Sequence, residues 1–162
     1  MWISGDDATG AAGYITPWVN GDGAGGATKI LVGIFTGCSY YSTSQKKTVE
    51  NNYYPGSDAT GDVSAYVVDD PNSLWMVQAN SGPITLTSVG ACADVAASPT
   101  GSTTTGYSGM TLGTPTTTNT LPFKVVNVVT SPPGANGRDI ATAYNQVVVA
   151  FNNQQYKALL GV

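Results

Sequence analysis

Ala65-Tyr66-Val67-Val68-Asp69-Asp70-Pro71-Asn72-Ser73-Leu74-Trp75-Met76-Val77-Gln78-Ala79 sets two short apolar runs on either side of a compact turn signal. Tyr66, Val67 and Val68 are aromatic or β-branched, which suits a pleated, half-buried strand. In Asp69-Asp70-Pro71-Asn72 the proline presets φ, and the Asp and Asn side chains are short enough to bond nearby backbone, so the chain turns there. Leu74 to Val77 then resumes the apolar run. The stretch reads as strand, turn, strand, a hairpin. On the return strand the two-residue period places Trp75, Val77 and Ala79 on one face and Leu74, Met76 and Gln78 on the other.

The same grammar extends in both directions. Upstream, Lys29-Ile30-Leu31-Val32-Gly33-Ile34-Phe35-Thr36 is an almost continuous apolar strand, and Ser39-Tyr40-Tyr41 continues or pairs with it, with a bulge or bend at Gly33 or Gly37. Ser42 to Lys47 is a polar turn, Thr48 to Tyr54 a further strand, and Pro55-Gly56-Ser57-Asp58 another turn. Downstream come a short piece at Ile84-Thr85-Leu86 and a segment from Val89 to Ala97 with Cys92, Asp94 and Ala96 on one face. A long Thr/Ser/Gly loop, 98–120, carries one apolar pulse at Met110-Thr111-Leu112 and is too polar to bury much surface. Phe123 to Thr130 and Gln146 to Phe151 are strongly β-branched strands. No amphipathic helical period is sustained over three turns. The expected fold is therefore all-β, a small sandwich or barrel of about eight to ten short antiparallel strands in a single domain over 1–162. Extended terminal arms flank it: residues 1–26, with Trp2, Tyr14 and Trp18 as isolated anchors, and a polar tail over 152–162 with Tyr156, Leu159 and Leu160. Such anchors suit ordering by a neighbouring subunit.

Charged residues make up only 10% of the 162, against about 25% in an ordinary soluble domain. A surface of Thr, Ser, Asn and Gly suits packing against other protein, and a free monomer normally keeps more charge. The net charge of -4, with six Lys plus Arg, speaks against a nucleic-acid footprint, which draws on clustered cations. No apolar run approaches the roughly 18 residues of a membrane helix. Met1-Trp2-Ile3-Ser4-Gly5-Asp6-Asp7 lacks the basic start and apolar middle of a signal peptide, so export by that route is not expected. Cys38 and Cys92 leave two states open, a disulfide or two buried reduced thiols, and the missing signal favours the thiols.

The chain has no histidine, which removes Ser-His-Asp and Cys-His activation and the commonest zinc ligand and general base. Gly106-Tyr107-Ser108-Gly109-Met110 resembles a nucleophile elbow only superficially, with its second glycine misplaced. Gly21, Gly23 and Gly26 fit a G-x-G-x-x-G spacing but precede a strand, whereas a dinucleotide fingerprint follows a strand and opens a helix. Asn20 and Asp22 do not complete a calcium loop, because position 12 falls on Leu31. Asp69 and Asp70, with Asp58, Asp62 and Asp94, have the chemistry for Ca²⁺ or for a glycosidase carboxylate pair, yet Asp-Asp-Pro-Asn is already explained as a turn. Tyr40-Tyr41 and Tyr53-Tyr54 suit stacking on sugars, although paired aromatics in β-proteins more often split between core and rim. No catalytic residue, metal site or cofactor is expected.

Several stretches also resemble a known family. Val32-Gly33-Ile34-Phe35-Thr36-Gly37-Cys38-Ser39-Tyr40, Tyr53-Tyr54-Pro55, Ala65 to Pro71 with Trp75 to Ala79, Ser88-Val89-Gly90, Ser108-Gly109-Met110, Phe123-Lys124-Val125-Val126 and the closing Gly161-Val162 are similar, in that order, to the capsid decoration (cement) proteins of tailed bacteriophages. Pro132 to Gly137 stands where that family has a more acidic turn. The resemblance implies a structural virion protein on the outer surface of the head, assembled in the host bacterial cytoplasm and partnered by the major capsid protein. It implies no catalytic residue. Lattice symmetry suggests self-association as a trimer first and a dimer second. Trp2, Tyr14, Trp18, Tyr156, Leu159 and Leu160 are the candidate contacts to shell or neighbour. The alternatives are a carbohydrate-binding virion module and another structural subunit of capsid or tail.

Overall fold

The computed structural model describes residues 2–5, 13–22, 29–96, 101–102, 104–131 and 140–157. The described residues form nine strands: β1 (Trp2–Gly5), β2 (Ile15–Pro17), β3 (Ile30–Ser42), β4 (Lys47–Asn51), β5 (Ala59–Val68), β6 (Leu74–Gln78), β7 (Cys92–Ala93), β8 (Phe123–Val128) and β9 (Gln146–Phe151). They make two antiparallel sheets. In the first, β3 is the central strand: β1 and β4 pair end to end along one side of it, β5 pairs along the other, and β2 lies outside β1. The second runs β6-β9-β8-β7. Neither closes into a barrel, and the architecture is an all-β sandwich.

β3 is longer than its composition announced because two irregularities let it bend and keep pairing. The register against β5 shifts between Phe35 and Gly37 and again between Ser39 and Tyr41, which adds twist without ending the ladder. Gly33 is required for a separate reason. A Cβ there would collide with the Val68 carbonyl oxygen and the Val67 side chain across the strand pair.

The stretch read as a hairpin is a corner instead. Its two strands and its turn are where the sequence put them, but β5 pairs with β3 and β6 pairs with β9, so Asp69 to Ser73 carries the chain from one sheet to the other. Asp70 builds the turn: its carboxylate accepts from Asn72 N at 2.9 Å and Ser73 Oγ at 3.2 Å. The expected faces hold on β6, with Val77 and Ala79 buried and Leu74, Met76 and Gln78 exposed.

The main core lies between the sheets. Leu31 of β3 and Trp18 pack with Val77, Phe123, Val125, Val147, Val149 and Phe151, removing the inward face of the second sheet from water. Leu112, the apolar pulse of the Thr-rich loop, is fully buried there too, bridged to both Ala79 and Val95. A smaller cluster, Phe35, Cys38 and Tyr40, sits on the first sheet under half-buried Ile15, Val49, Val63, Ala65 and Val67. Both cysteines are buried free thiols, and desolvation raises the pKa of Cys38.

The terminal arms need correction. Trp2–Gly5 is a strand inside the first sheet, paired with β2 and β3, because the near half of β3 otherwise exposes its backbone groups along that edge. At the other end the polar residues after β9 fasten the body together. Asn152 Nδ2 donates to the carbonyls of Asn119 and Leu121 at 2.7 and 2.8 Å, Asn153 Nδ2 to that of Thr120 at 2.9 Å, and Gln154 is completely buried.

Candidate interaction surface

Of the six residues expected as contacts, Trp18, Tyr14 and Tyr156 have described side chains, and they have different surroundings. Trp18 belongs to the chain's own core: it is 2% exposed, and its Nε1 donates to Asp94 Oδ1 at 2.8 Å. The Asp94 carboxylate also takes Gly21 N and Val95 N, each at 2.8 Å, so this indole closes an internal latch and is not offered to a neighbour. Tyr14 and Tyr156 are exposed, and the Tyr14 hydroxyl donates to Asp62 Oδ1 at 3.0 Å, which raises its pKa. The backbone of Trp2 lies in β1, while Leu159 and Leu160 fall outside the described residues.

Of the carboxylates considered for metal or glycosidase chemistry, Asp58, Asp62, Asp70 and Asp94 are separately engaged. Asp58 accepts Ser42 Oγ at 2.7 Å, Thr43 Oγ1 at 2.9 Å and Ser44 N at 2.9 Å, and these bonds, that from Ser42 foremost, hold its pKa down to about 2. Asp70 serves the corner, Asp94 the latch, and Asp22 pairs with Lys29 Nζ at 3.2 Å. Among the described residues no three His, Cys, Asp or Glu side chains converge. A cavity of about 130 Å³ lies between Asn80–Ile84, Ser88 and Leu112–Pro115, and among the described residues no ionisable side chain lines it. The paired tyrosines split as paired aromatics usually do: Tyr40 is buried, with its hydroxyl 2.7 Å from Asn51 Nδ2, and Tyr41 is exposed.

What the fold does present is an apolar strip on the outward face of the second sheet, at none of the residues expected from the sequence as contacts. Leu74 and Met76 of β6 are 59% and 63% exposed, and Val126 of β8 is exposed beyond them. The register sets Leu74 opposite Ala150 and Met76 opposite Val148 on β9, both half-buried. The next strand carries Lys124 and Asn127 opposite the same two residues. Large aliphatic side chains in register on one outer sheet face form a contiguous patch, the kind of surface that marks a binding site when polar residues rim it. The alternation of β6 was the available signal, since it left Leu74 and Met76 on the face opposite Trp75.

Comparison with known proteins finds no matching family model, no matching curated protein and no matching solved structure.

Proposed function

We propose that this chain is a structural virion protein that binds the outer surface of a tailed-phage capsid and stabilises the head. The observation that carries the reading is the strip of Leu74, Met76 and Val126 on the outward face of the second sheet, in a chain with only 10% charged residues. The sequence resemblance to capsid decoration proteins supplies the identity of the surface it covers. A cement protein acts by mass action, because it binds the assembled lattice and not dissociated subunits, and many weak contacts then add. In this reading the apolar strip faces the major capsid protein, and the Thr- and Ser-rich loops face solvent.

The test is head survival. Heads stripped of the protein are heated with and without it, and DNA release is followed. Protection by the native chain, lost on Met76→Glu or Leu74→Asp while the unfolding midpoint is unchanged, supports the reading, and unaltered DNA release with native protein refutes it. A second reading, a glycan-binding virion module, draws on Tyr41 and Tyr66, both exposed, with the Tyr66 hydroxyl 3.3 Å from Glu50 Oε1. Glycan-array binding abolished by Tyr41→Ala and Tyr66→Ala distinguishes it.

A further inference from the structure

The strand β5 is ten residues long, and among the described residues it pairs with β3 alone. Its other side is an edge. The Tyr66 carbonyl faces β3, where it accepts from Thr36 Oγ1 at 3.2 Å, and the Val68 carbonyl also faces β3, against Gly33. Backbone groups alternate sides along a strand, so the N–H and C=O of Ala65 and Val67 point away from the sheet. The side chains of Val63, Ala65 and Val67 lie on one face, half-buried against Phe35, Cys38 and Tyr40. A long edge of this kind, with no lysine or proline to blunt it, is a template for another strand.

We propose that the strand it takes is β5 of a second copy of this chain, antiparallel about a twofold axis at Ala65. Three features select this occupant and register. The outward-pointing groups of Ala65 meet their own symmetry mates and exchange both hydrogen bonds. Val63 faces Val67 of the second copy and Val67 faces its Val63, so the half-covered aliphatic row of each copy continues into the other. Charge fits as well. Asp62 is the sole charged residue of β5, and in this register it opposes Val68 of the second copy. An axis at Val63 sets Asp62 diagonal to its own mate, an axis at Val67 overruns the strand end, and an axis at Ser64 or Tyr66 calls on groups already turned toward β3. The Tyr14 hydroxyl that binds Asp62 engages only its side chain and leaves the β5 backbone groups unused. A pairing with twofold symmetry closes on itself. Of the two oligomers suggested for the chain, the edge therefore favours the dimer.

Sedimentation equilibrium of the full chain tests this without any capsid. Ser64 is exposed and in this register lies diagonal to Ser64 of the second copy, so Ser64→Lys and Ser64→Glu each bring like charges together. Each is expected to weaken self-association about two- to fivefold, and their equimolar mixture to recover a mixed dimer. Ala65→Pro removes the outward N–H, which an edge strand tolerates in the fold, and is expected to leave a monomer with native circular dichroism. A native chain that stays monomeric up to millimolar concentration overturns the proposal. So does a dimer indifferent to both Ser64→Lys and Ala65→Pro.

Discussion

Gln154 Nε2 donates to the Asp69 carbonyl oxygen at 3.1 Å and, with its other proton, to that of Val32 at 2.7 Å. One buried amide after the last strand thereby fixes the corner where β5 leaves the first sheet and the strand around which that sheet is built. Its own Oε1 accepts Tyr156 N at 3.0 Å, so all three polar contacts are made inside the protein. Replacing Gln154 by Ala strands two carbonyls and a cavity at the junction of the sheets, and we expect a loss of about 2–4 kcal/mol. Urea unfolding measures it. A loss below about 0.5 kcal/mol, the scale of ordinary surface substitutions, means that the amide is not the clamp described.

Gly33 and Gly82 make a matched pair. At Gly33 a methyl group meets the backbone of β5, whereas at Gly82 it meets open space. Gly33→Ala is expected to cost about 1–3 kcal/mol or to displace β5 from β3, and Gly82→Ala to be neutral or to stabilise by up to about 1 kcal/mol. Equal effects at the two positions contradict the close approach of β3 to β5.

Trp18 separates ring burial from its hydrogen bond. Trp18→Ala empties a core position and is expected to cost about 3–5 kcal/mol. Trp18→Phe keeps much of the ring, removes the donor to Asp94 and is expected to cost about 1–3 kcal/mol. If Trp18 instead served a neighbouring subunit, both variants would unfold like the native monomer and lose only assembly.

Asp58 gives the protein an acid limb. The hydrogen bonds it accepts, that from Ser42 foremost, hold its carboxyl down to about 2, against an ordinary value of 3.8, so over that interval the unfolded chain binds a proton that the folded chain does not. Stability from this group is fully present above the unfolded value and declines as pH falls from about 4 toward 2. Asp58→Asn should flatten the unfolding midpoint over that window, and an unchanged slope assigns the acid sensitivity elsewhere.

The strands at Ile30, Phe123 and Gln146 were legible because β-branched runs bounded by glycine, proline and polar turns have few other uses. The hairpin failed for a specific reason. Val68 and Leu74 carry the same local pattern whether their strands pair or part, and what parts them is the pairing of β5 with β3 and of β6 with β9, partners that a local window does not show. β1 was missed because Trp-Ile-Ser-Gly has weak strand character and is recruited by the unpaired edge of β3. Trp18 looked like a free anchor because its acceptor, Asp94, is brought to it only by the tertiary fold. The polar Asn-Asn-Gln-Gln run read as a tail, since nothing in its composition shows that its amides serve as internal donors. Leu74 and Met76 had been placed correctly on the outer face of their strand, and only the sheet around them shows that this face is a surface.

The most direct test of the central claim is a binding isotherm of the purified chain on phage heads stripped of it, read by cosedimentation beside unassembled capsid subunits. The account predicts saturable binding to assembled heads, none to free subunits, and weakened binding for Met76→Glu. Absence of binding to intact heads, or equal binding of native and Met76→Glu protein, contradicts it.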